Sequence, residues 1–306
     1  MIRVAVIGVG MMGSHHARVF SELKDVELVG VVDIDSKKAE DIARRYNTNA
    51  YTNHLDVIDS VDAVSIAVPT TSHFKVAMDF IRHGKDLLIE KPITQTLKEA
   101  RILISEAEKR GIIMQIGHIE RFNAGVSVIS KMVNEPRFIE SHRLSPFSGR
   151  GIDVDVTLDL MIHDIDIILS LVDSEIADIR ATGARVMTDS IDVAHAWIEF
   201  ENGCVAEAVT SRIAEKTERQ LKVFQQNAFL NLNYQTQEII HYKKNKGHID
   251  MDVMRPKKNE PLKEQLISFI ECVKKRTRPI VSGYEGKKAL KVALKISELV
   301  TNEVKR

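Results

Sequence analysis

The sequence predicts a two-domain α/β protein, with an N-terminal doubly wound parallel sheet and a second domain built on an open, mostly antiparallel sheet. Its 306 residues exceed the usual length of one domain, about 150 residues, and favour two. The apolar pattern also changes near residue 135, where buried runs separated by helical segments give way to strands of period two. Apolar residues make up 44% and charged residues 28% of the chain, which is typical of a folded globular protein.

The N-terminal part alternates short strands rich in Val and Ile with longer segments of helical period. We predict strands over 2–7, 27–32, 62–68, 86–89 and 112–116, a weaker strand over 49–51, and helices over 13–24, 36–45, 73–83 and 96–110. Thr96 and Glu99 form a capping box in the last of these helices, because each side chain can accept the other's backbone N–H. This order is typical of a parallel sheet with helices on both faces.

The C-terminal part is dominated by alternating strands and short turns. We predict strands over 137–145, 176–187, 193–201, 204–213, 219–225, 228–234 and 237–243, helices over 124–134, 157–172, 261–276 and 284–304, and a polar loop over 243–260. The last helix carries an apolar stripe formed by Ala289, Ala293, Ile296 and Val300. One face of the predicted sheet lacks a cover within the chain, so we expect a homodimer or homotetramer.

Composition and charge argue against several classes of protein. The 43 Lys and Arg balance 43 Asp and Glu, which leaves no net positive field to hold nucleic acid. Cys204 and Cys272 are too few for a disulfide scaffold or a zinc site with several thiolates, and they fit a reducing compartment. No apolar run reaches about 18 residues, so we expect no membrane span. The apolar stretch from Val4 to Gly13 resembles a signal-peptide core, but it fits the first strand of the alternation, and we expect a cytoplasmic protein.

A glycine motif follows the first strand and opens the first helix. Gly8, Gly10 and Gly13 match G-x-G-x-x-G, and Asp33 lies further on, at the end of strand two. Gly8 allows a sharp turn, Gly10 lets backbone amides approach a pyrophosphate, and Gly13 lets the helix lie close to the sheet. The helix N-terminus adds the positive end of its dipole. The motif predicts a Rossmann dinucleotide site; a turn without ligand, or a site for S-adenosylmethionine or FAD, is the alternative.

Asp33 predicts NAD as the cofactor, with NADP as the less favoured alternative. Its carboxylate can accept hydrogen bonds from the adenosine ribose hydroxyls and would repel a 2′-phosphate. Lys37 and Lys38 weaken this preference, because either ammonium could approach a 2′-phosphate.

Two further places supply groups that a dehydrogenase needs, a proton acceptor and a group that stabilises the developing alkoxide. Lys91 directly follows strand five, where ligand crevices open in a doubly wound sheet. Asp159, His163 and Asp166 have the spacing of one face on an otherwise apolar helix. The alternatives are a solvated turn for Lys91 and, for the helix, a satisfied core network or a metal bound by His163 and two carboxylates.

Together these motifs resemble the glucose–fructose oxidoreductase and inositol dehydrogenase family, often written Gfo/Idh/MocA. The likeness covers nearly the whole chain. It rests on the order and spacing of Gly8-x-Gly10-x-x-Gly13, Val68-Pro69 with His73, Glu90-Lys91-Pro92 and Asp159-x-x-x-His163. The resemblance implies a Rossmann domain, a larger antiparallel sheet that often packs sheet to sheet in dimers or tetramers, and a last helix that returns to the first domain. We therefore expect a NAD-binding domain over 1–118, on which helix 284–304 packs, and a substrate-binding and oligomerisation domain over 119–283.

The resemblance also implies a catalytic set of Lys91, Asp159 and His163. We hypothesise that His163 takes the hydroxyl proton as hydride leaves for the nicotinamide, and that Asp159 orients the imidazole. Lys91 would hold the hydroxyl and stabilise negative charge on its oxygen, although it could exchange roles with His163. The hypothesis requires the ammonium and the imidazole to converge on one alcohol. Met161 stands where the family commonly has glycine, which puts the backbone approach to substrate in question.

The expected ligand contacts extend beyond the catalytic set. The cofactor site is expected to comprise Gly8, Val9, Gly10, Met11, Met12, Gly13, Asp33, Ile34, Lys38, Val68, Pro69, His73, Glu90 and Lys91, and no metal is expected. The substrate site is expected to comprise Lys91, Glu120, Arg121, Asn123 and His163. Arg121 is the first candidate for a diphosphate contact, because a planar guanidinium suits phosphate oxygens, and an ion pair is its alternative role.

Within the family, residues 118–123 and 159–164 resemble the UDP-N-acetylglucosamine 3-dehydrogenase branch. That branch implies oxidation of the sugar 3-hydroxyl to a ketone. Dehydrogenation of an inositol, a free aldose or a dihydrodiol is the rival within the same chemistry. A sensor that binds dinucleotide without turnover is the rival from another class.

Overall fold

The structure is a computed structural model that describes residues 1–149 and 154–304. The chain separates into two compact units. The first comprises Met1–Ile119 and Leu262–Lys287, and the second comprises Glu120–Pro261 and Lys288–Arg306. Within the described ranges, no helix has both the length and the apolar character that a membrane crossing requires.

The first unit is built on a six-stranded parallel sheet. Its strands are β1 (Ile2–Ile7), β2 (Val26–Val32), β3 (Asn49–Tyr51), β4 (Ala63–Ile66), β5 (Asp86–Ile89) and β6 (Met114–Ile116). The helices between them are α1 (Met11–Glu22), α2 (Ser36–Tyr46), α3 (Thr70–Arg82) and α4 (Leu97–Lys109), with a 3-10 helix over His54–Ser60. The order β3-β2-β1-β4-β5-β6 confirms the predicted doubly wound sheet. The order reverses between β1 and β4, and ligands bind outside the carboxyl ends of strands at such a point.

Side chains at the helix starts explain where two of these helices begin. Glu99 N–H donates to Thr96 Oγ1 at 3.2 Å and Thr96 N–H donates to Glu99 Oε2 at 3.1 Å, which confirms the capping box at α4. Asp35 caps α2 by accepting from the N–H groups of Lys37 and Lys38. Gly10, which precedes α1, offers no side-chain cap.

The helix α7 (Pro261–Lys275) packs in the core of the first unit, apart from its first residue. Its apolar side chains lie in one cluster with those of β1 and α1, including Val4 and Phe20. The α7 members of that cluster are Leu262, Leu266, Phe269, Ile270, Cys272 and Val273. The expected boundary at residue 283 therefore differs from the structure, because the amphipathic pattern of α7 does not reveal which sheet it covers.

The second unit is built on an eight-stranded sheet in the order β14-β13-β12-β11-β7-β10-β9-β8. Its strands are β7 (Phe138–Leu144), β8 (Ile176–Ala184), β9 (Val193–Phe200), β10 (Val205–Ser211), β11 (Glu218–Gln225), β12 (Ala228–Asn233), β13 (Ile239–Asn245) and β14 (His248–Met254). The helices are α5 (Ala124–Met132), α6 (Ile162–Leu171) and most of α8 (Gly283–Val304), with a 3-10 turn over Ile119–Phe122 and a π-helical turn over Thr157–Met161. All neighbouring strands pair antiparallel except β7 and β10, so the predicted mostly antiparallel sheet is confirmed.

The last helix contributes to the core of the second unit. The apolar stripe of α8 lies in one buried cluster with α5, α6 and the inner face of the sheet. A Cβ on Gly183 of β8 would lie 2.6 Å from Val300, so the helix packs closely on that strand. Of this helix, Gly283–Lys287 belong to the first unit and the residues from Lys288 onward belong to the second.

The predicted loop over 243–260 is also wrong for its first half. β13 and β14 form a hairpin joined by Lys246 and Gly247, whose φ angles of 44° and 92° are those of a tight two-residue turn. Ile249 of β14 is 75% exposed, as is most of this edge strand. A strand that is wet on both faces carries no strong apolar alternation, which is why its sequence resembles a loop.

Candidate active site

The glycine turn lies at the carboxyl end of β1. Gly8 has φ of 86°, and a Cβ there would lie 2.8 Å from Ala67 O and from Val68 N. A Cβ on Gly13 would collide with the Gly8 carbonyl, whereas one on Gly10 would meet no described atom within 4 Å. Two of the glycines are therefore demanded by the turn itself, and the third faces open space at the N-terminus of α1. Open space beside uncapped helix amides suits an anionic group such as a pyrophosphate.

Asp33 is fixed beside this turn. Val9 N–H donates to its Oδ2 at 2.9 Å and Asp35 N–H donates to its Oδ1 at 3.0 Å. Each carboxylate oxygen keeps a lone pair for a ribose hydroxyl. Lys38 Nζ lies 3.6 Å from Asp35 Oδ2, and Ile34 is 96% exposed next to Asp33. The turn and this carboxylate fit an adenine dinucleotide.

His73 connects the chain segments that follow β4 and β5. Its Nε2 lies 2.9 Å from Val68 O and its Nδ1 lies 2.9 Å from Pro92 O, while the residue is 1% exposed. Burial lowers the pKa of His73, so the neutral ring donates from only one of these nitrogens. The imidazole braces two loops of the cofactor crevice, and the expected direct contact of its side chain with the cofactor finds no support in this geometry.

Glu90 is a buried carboxylate next to Lys91. Its Oε2 accepts the Lys91 N–H at 3.3 Å, and its Oε1 lies 3.2 Å from Nε2 of His16, whose Nδ1 lies 2.6 Å from Ser65 Oγ. A Cβ on Gly117 would lie 2.6 Å from Oε1. Burial alone would raise the pKa of Glu90, but the hydrogen bond and charge of His16 and the Lys91 ammonium bring it below its ordinary value. An ionised Glu90 thus holds the backbone of the candidate catalytic lysine.

In the second unit, Asp159 and His163 lie where the π-helical turn continues into α6. Both residues are partly exposed, whereas Met161 and Ile162 between them are fully buried. The predicted helix over 157–172 has the right extent, but its first turn is π-helical, a feature common at functional sites. Met161 belongs to the apolar core, so its side chain is directed away from the accessible pair. The residue that replaces the family's glycine therefore leaves the accessible side open.

Asp155 anchors the π-helical turn. Its Oδ1 accepts from Ile191 N–H at 3.0 Å and its Oδ2 accepts from Ser297 Oγ at 2.6 Å. Its carbonyl accepts from the N–H groups of Leu158 and Asp159, both at 3.0 Å. The backbone that carries Asp159 is thereby fixed to the β8–β9 connection and to α8.

A buried ion network follows on the inner side of α6. Arg143 donates from Nε and Nη2 to the two carboxylate oxygens of Asp164 at 2.7 and 3.1 Å, and from Nη1 to Glu120 Oε1 at 3.1 Å. Burial opposes the charge on this guanidinium, but the two carboxylates raise the pKa of Arg143 above its ordinary value. Asn123 Nδ2 donates to Glu120 Oε2 at 3.3 Å. The network explains how the apolar helix α6 accommodates the buried carboxylate of Asp164.

The chain matches two domains of one family, described as "Oxidoreductase family, NAD-binding Rossmann fold" over residues 2–118 and "GFO/IDH/MocA C-terminal domain" over residues 133–230. It is 32% identical over 302 residues to UDP-N-acetylglucosamine 3-dehydrogenase of Acidithiobacillus ferrooxidans, with 96% of both chains covered. The chain belongs to the Gfo/Idh/MocA family. A solved structure of that A. ferrooxidans enzyme superimposes with a TM-score of 0.94 over 99% of both chains. The scyllo-inositol 2-dehydrogenase (NAD(+)) of Bacillus subtilis is 25% identical, with 96% of this chain and 92% of its own length covered.

Membership of the Gfo/Idh/MocA family confirms the expected fold class, the dehydrogenase class and an NAD-type dinucleotide. Several expected ligand contacts instead have local structural partners. Asn123 is 1% exposed and caps α5 through Gly125 N–H, and Glu120 is engaged by Arg143. Arg121 Nε lies 3.8 Å from Asp166 Oδ2, which favours the ion pair over the diphosphate contact. Among the described residues, no group of three His, Cys, Asp or Glu side chains is placed to hold a metal.

The residues that sequence reasoning missed are buried polar groups. His16 lies on the buried face of α1, and Arg143 lies on the inner face of β7 with Ile139 and Ser141. The sequence does contain a signal for Arg143, since a charged residue at an inward position of an alternating strand indicates a buried ion pair. Its partners, Glu120 and Asp164, are distant in sequence and could not be assigned without the fold.

Proposed function

We propose that this chain oxidises the 3-hydroxyl of UDP-N-acetylglucosamine to the 3-keto sugar with NAD as hydride acceptor. The carrying observation is the pair Asp159 and His163, two partly exposed polar side chains one helical turn apart, between which Met161 and Ile162 are fully buried. Accessible polar groups in an apolar setting are placed for a ligand rather than for the core. The relative at 32% identity, which carries the corresponding name, supports this choice of substrate.

The roles of the residues follow from their chemistry. His163 takes the hydroxyl proton, because an imidazole nitrogen is a suitable general base. Asp159 orients the ring and stabilises the imidazolium, and the Lys91 ammonium stabilises negative charge on the reacting oxygen. Glu90, through its bond to Lys91 N–H, keeps the lysine in place. Bound NAD supplies the hydride acceptor.

The substrate is tested by following NADH absorbance with UDP-N-acetylglucosamine, free N-acetylglucosamine, scyllo-inositol and myo-inositol. We expect kcat/KM to be highest for the sugar nucleotide. A higher kcat/KM for an inositol would show that the proposed substrate is wrong, whereas the proposed dehydrogenation of a secondary alcohol would stand. Dinucleotide binding without turnover on any of them would favour a sensor.

Replacing Asp33 with alanine is expected to erode the preference for NAD over NADP. Asp33 accepts from Val9 and Asp35 N–H, so its negative charge is fixed beside the glycine turn. Removing it deletes a charged hydrogen-bond acceptor for the ribose and the repulsion of a 2′-phosphate. We expect the ratio of kcat/KM values for NAD and NADP to fall by about tenfold or more. Asp41→Ala, an exposed change on α2, is the control, and NADP preference in the native enzyme would contradict the proposal.

We also propose that two copies associate through the outer face of the eight-stranded sheet. A row of partly exposed aromatic rings crosses this face, with successive centroids 5.8, 5.8, 4.6 and 5.7 Å apart. The row consists of Trp197, Phe138, Phe224, Phe229 and Tyr242. Ion pairs within the face, such as Lys222 with Glu140 at 2.8 Å, balance its charge, so a second copy can meet it without like-charge repulsion.

Phe229→Glu is the test of this association. A carboxylate in the centre of the apolar row should weaken the assembly by at least tenfold in dissociation constant, because it would be desolvated on contact. Sedimentation velocity should show an oligomer for the native chain and a shift toward monomer for the variant. An exposed change away from the sheet, Lys98→Glu on α4, should leave the assembly intact. A native chain that is monomeric at micromolar concentration contradicts the proposal.

A further inference from the structure

One row of residues crosses the inner face of the eight-stranded sheet and carries two arginines side by side. Arg143 of β7 is the direct partner of Arg219 of β11, and Tyr234 follows β12 with its N–H donating to Arg219 O at 3.0 Å. The neighbouring inward positions, Leu221 and Ser141, are also buried, and each supplies no charge. Two adjacent cations in such surroundings repel each other, so each needs a negative partner.

Two buried acids, Asp164 and Glu120, form their ion pairs with Arg143. Both oxygens of Asp164 and Oε1 of Glu120 are bound by Arg143. The remaining Glu120 oxygen accepts from Asn123. The carboxylates nearest to the row are thus committed to Arg143.

Arg219 is partly exposed, and within the described ranges no carboxylate lies within ion-pair distance of its guanidinium. Its Nε is buried without a hydrogen-bond acceptor among the described residues. The hydroxyl of Tyr234 is likewise buried without a partner among the described residues. Burial and the neighbouring Arg143 lower the pKa of Arg219, although the charges of Glu120 and Asp164 act in the opposite direction. Burial raises the pKa of Tyr234, so its hydroxyl keeps the proton that it can donate.

The geometry points to an anion site: Arg219 and the Tyr234 hydroxyl bind a phosphate group of the substrate. A guanidinium offers several N–H donors in a planar fork that matches phosphate oxygens. The row is tied to α6 through Arg143 and Asp164, and Asp164 directly follows His163. The assignment rests on the proposed function and deepens it, because an uncharged inositol or aldose would leave the Arg219 charge unpaired. The phosphate could belong to a nucleoside diphosphate or to a sugar phosphate.

The test compares native protein with Arg219→Gln, using calorimetric binding of UDP and of glucose 6-phosphate at saturating NAD, so that UDP cannot occupy the dinucleotide site. We expect the variant to bind one of these two ligands about 10- to 100-fold more weakly, the loss of a charge-assisted hydrogen bond. Whichever ligand loses affinity identifies the source of the phosphate. Arg219→Lys should retain part of the affinity, because it keeps the charge but not the planar fork. Arg137→Gln, an exposed change beside β7, should bind as the native protein does.

Stability separates a binding role from a structural one. Since no carboxylate of the described residues pairs with Arg219, Arg219→Gln should leave the melting temperature of the ligand-free protein unchanged or raise it. A lower melting temperature with unchanged affinity for both ligands would overturn the assignment, as would native affinity in the variant. If UDP-N-acetylglucosamine is not oxidised while UDP binding still depends on Arg219, the proposed function fails and the anion site stands. If the variant oxidises the sugar nucleotide with the native KM, the anion site is wrong and the proposed function stands.

Discussion

Lys91→Ala and His163→Ala should each lower turnover of the sugar nucleotide by roughly 10²–10⁴-fold while NAD binding survives. In the proposed mechanism the imidazole accepts the proton and the ammonium stabilises the developing negative charge, so the loss of either should raise the barrier. NAD affinity should persist because the glycine turn and Asp33 lie elsewhere in the first unit and are unchanged by either substitution. Turnover is measured by NADH absorbance and NAD affinity by calorimetry.

Matched controls come from exposed residues of the same types. Lys98→Ala on α4 and His248→Ala on β14 should both retain native turnover. If Lys91 and His163 act together on one alcohol, the turnover of the double variant should be only slightly lower than that of the slower single variant. Catalytic groups that act together are strongly non-additive. Near-native turnover in both single variants would end the catalytic assignment.

The parallel sheet of the first unit could be predicted because its strands are buried on both faces. Runs such as Val4 to Ile7 are apolar without interruption. The turn that follows requires glycine at Gly8 and Gly13, so the glycine pattern predicts it. The local order of strand, turn and helix also predicts that Asp33 and Lys91 follow the carboxyl ends of strands. Each of these elements is specified by its own residue pattern.

The features that could not be predicted depend on partners far away in sequence. The parallel pairing of β7 with β10 joins residues 138–144 to residues 205–211, and no local signal specifies it. The apolar stripe of α8 predicts a helix that must be covered, but Ala293 or Ile296 would suit either sheet. The π-helical turn at Asp159 is set by packing and by the Asp155 anchor, because the residue pattern also fits an ordinary α-helix.

The partners of polar residues at inward positions of the sheet likewise could not be predicted from the sequence. The alternation of β7 and β11 places Arg143 and Arg219 on the same inner face of the sheet. The sequence alone does not indicate which of the two arginines pairs with an acid. Only the fold shows that Asp164 and Glu120 both reach Arg143. The same fold places Arg121 Nε 3.8 Å from Asp166 Oδ2, which is the ion pair that the sequence leaves open as an alternative.

Arg143→Met should destabilise the second unit by about 3–5 kcal/mol. The substitution leaves Asp164, which is 1% exposed, and Glu120 as buried carboxylates without their cation. With about 2–4 °C for each kcal/mol in a domain of this size, the melting temperature should fall by roughly 10 °C. Differential scanning calorimetry of the native protein and the variant measures this change.

The neighbouring arginine provides the contrast that identifies the cause. Arg143 and Arg219 are partners across the same two strands, so their substitutions remove the same kind of side chain from the same row. Arg143 is 4% exposed and Arg219 is partly exposed, so packing alone predicts a loss of stability for both methionine variants, smaller at Arg219. Because Arg143 pairs with buried acids and no carboxylate of the described residues pairs with Arg219, we expect Arg219→Met to be neutral or stabilising instead. Adding Asp164→Asn to Arg143→Met should cost less than the sum of the two single changes, since the second removes a charge that the first left uncompensated. Equal losses for both arginines, or simple additivity in the double variant, would show that the ion network does not determine the stability of this unit.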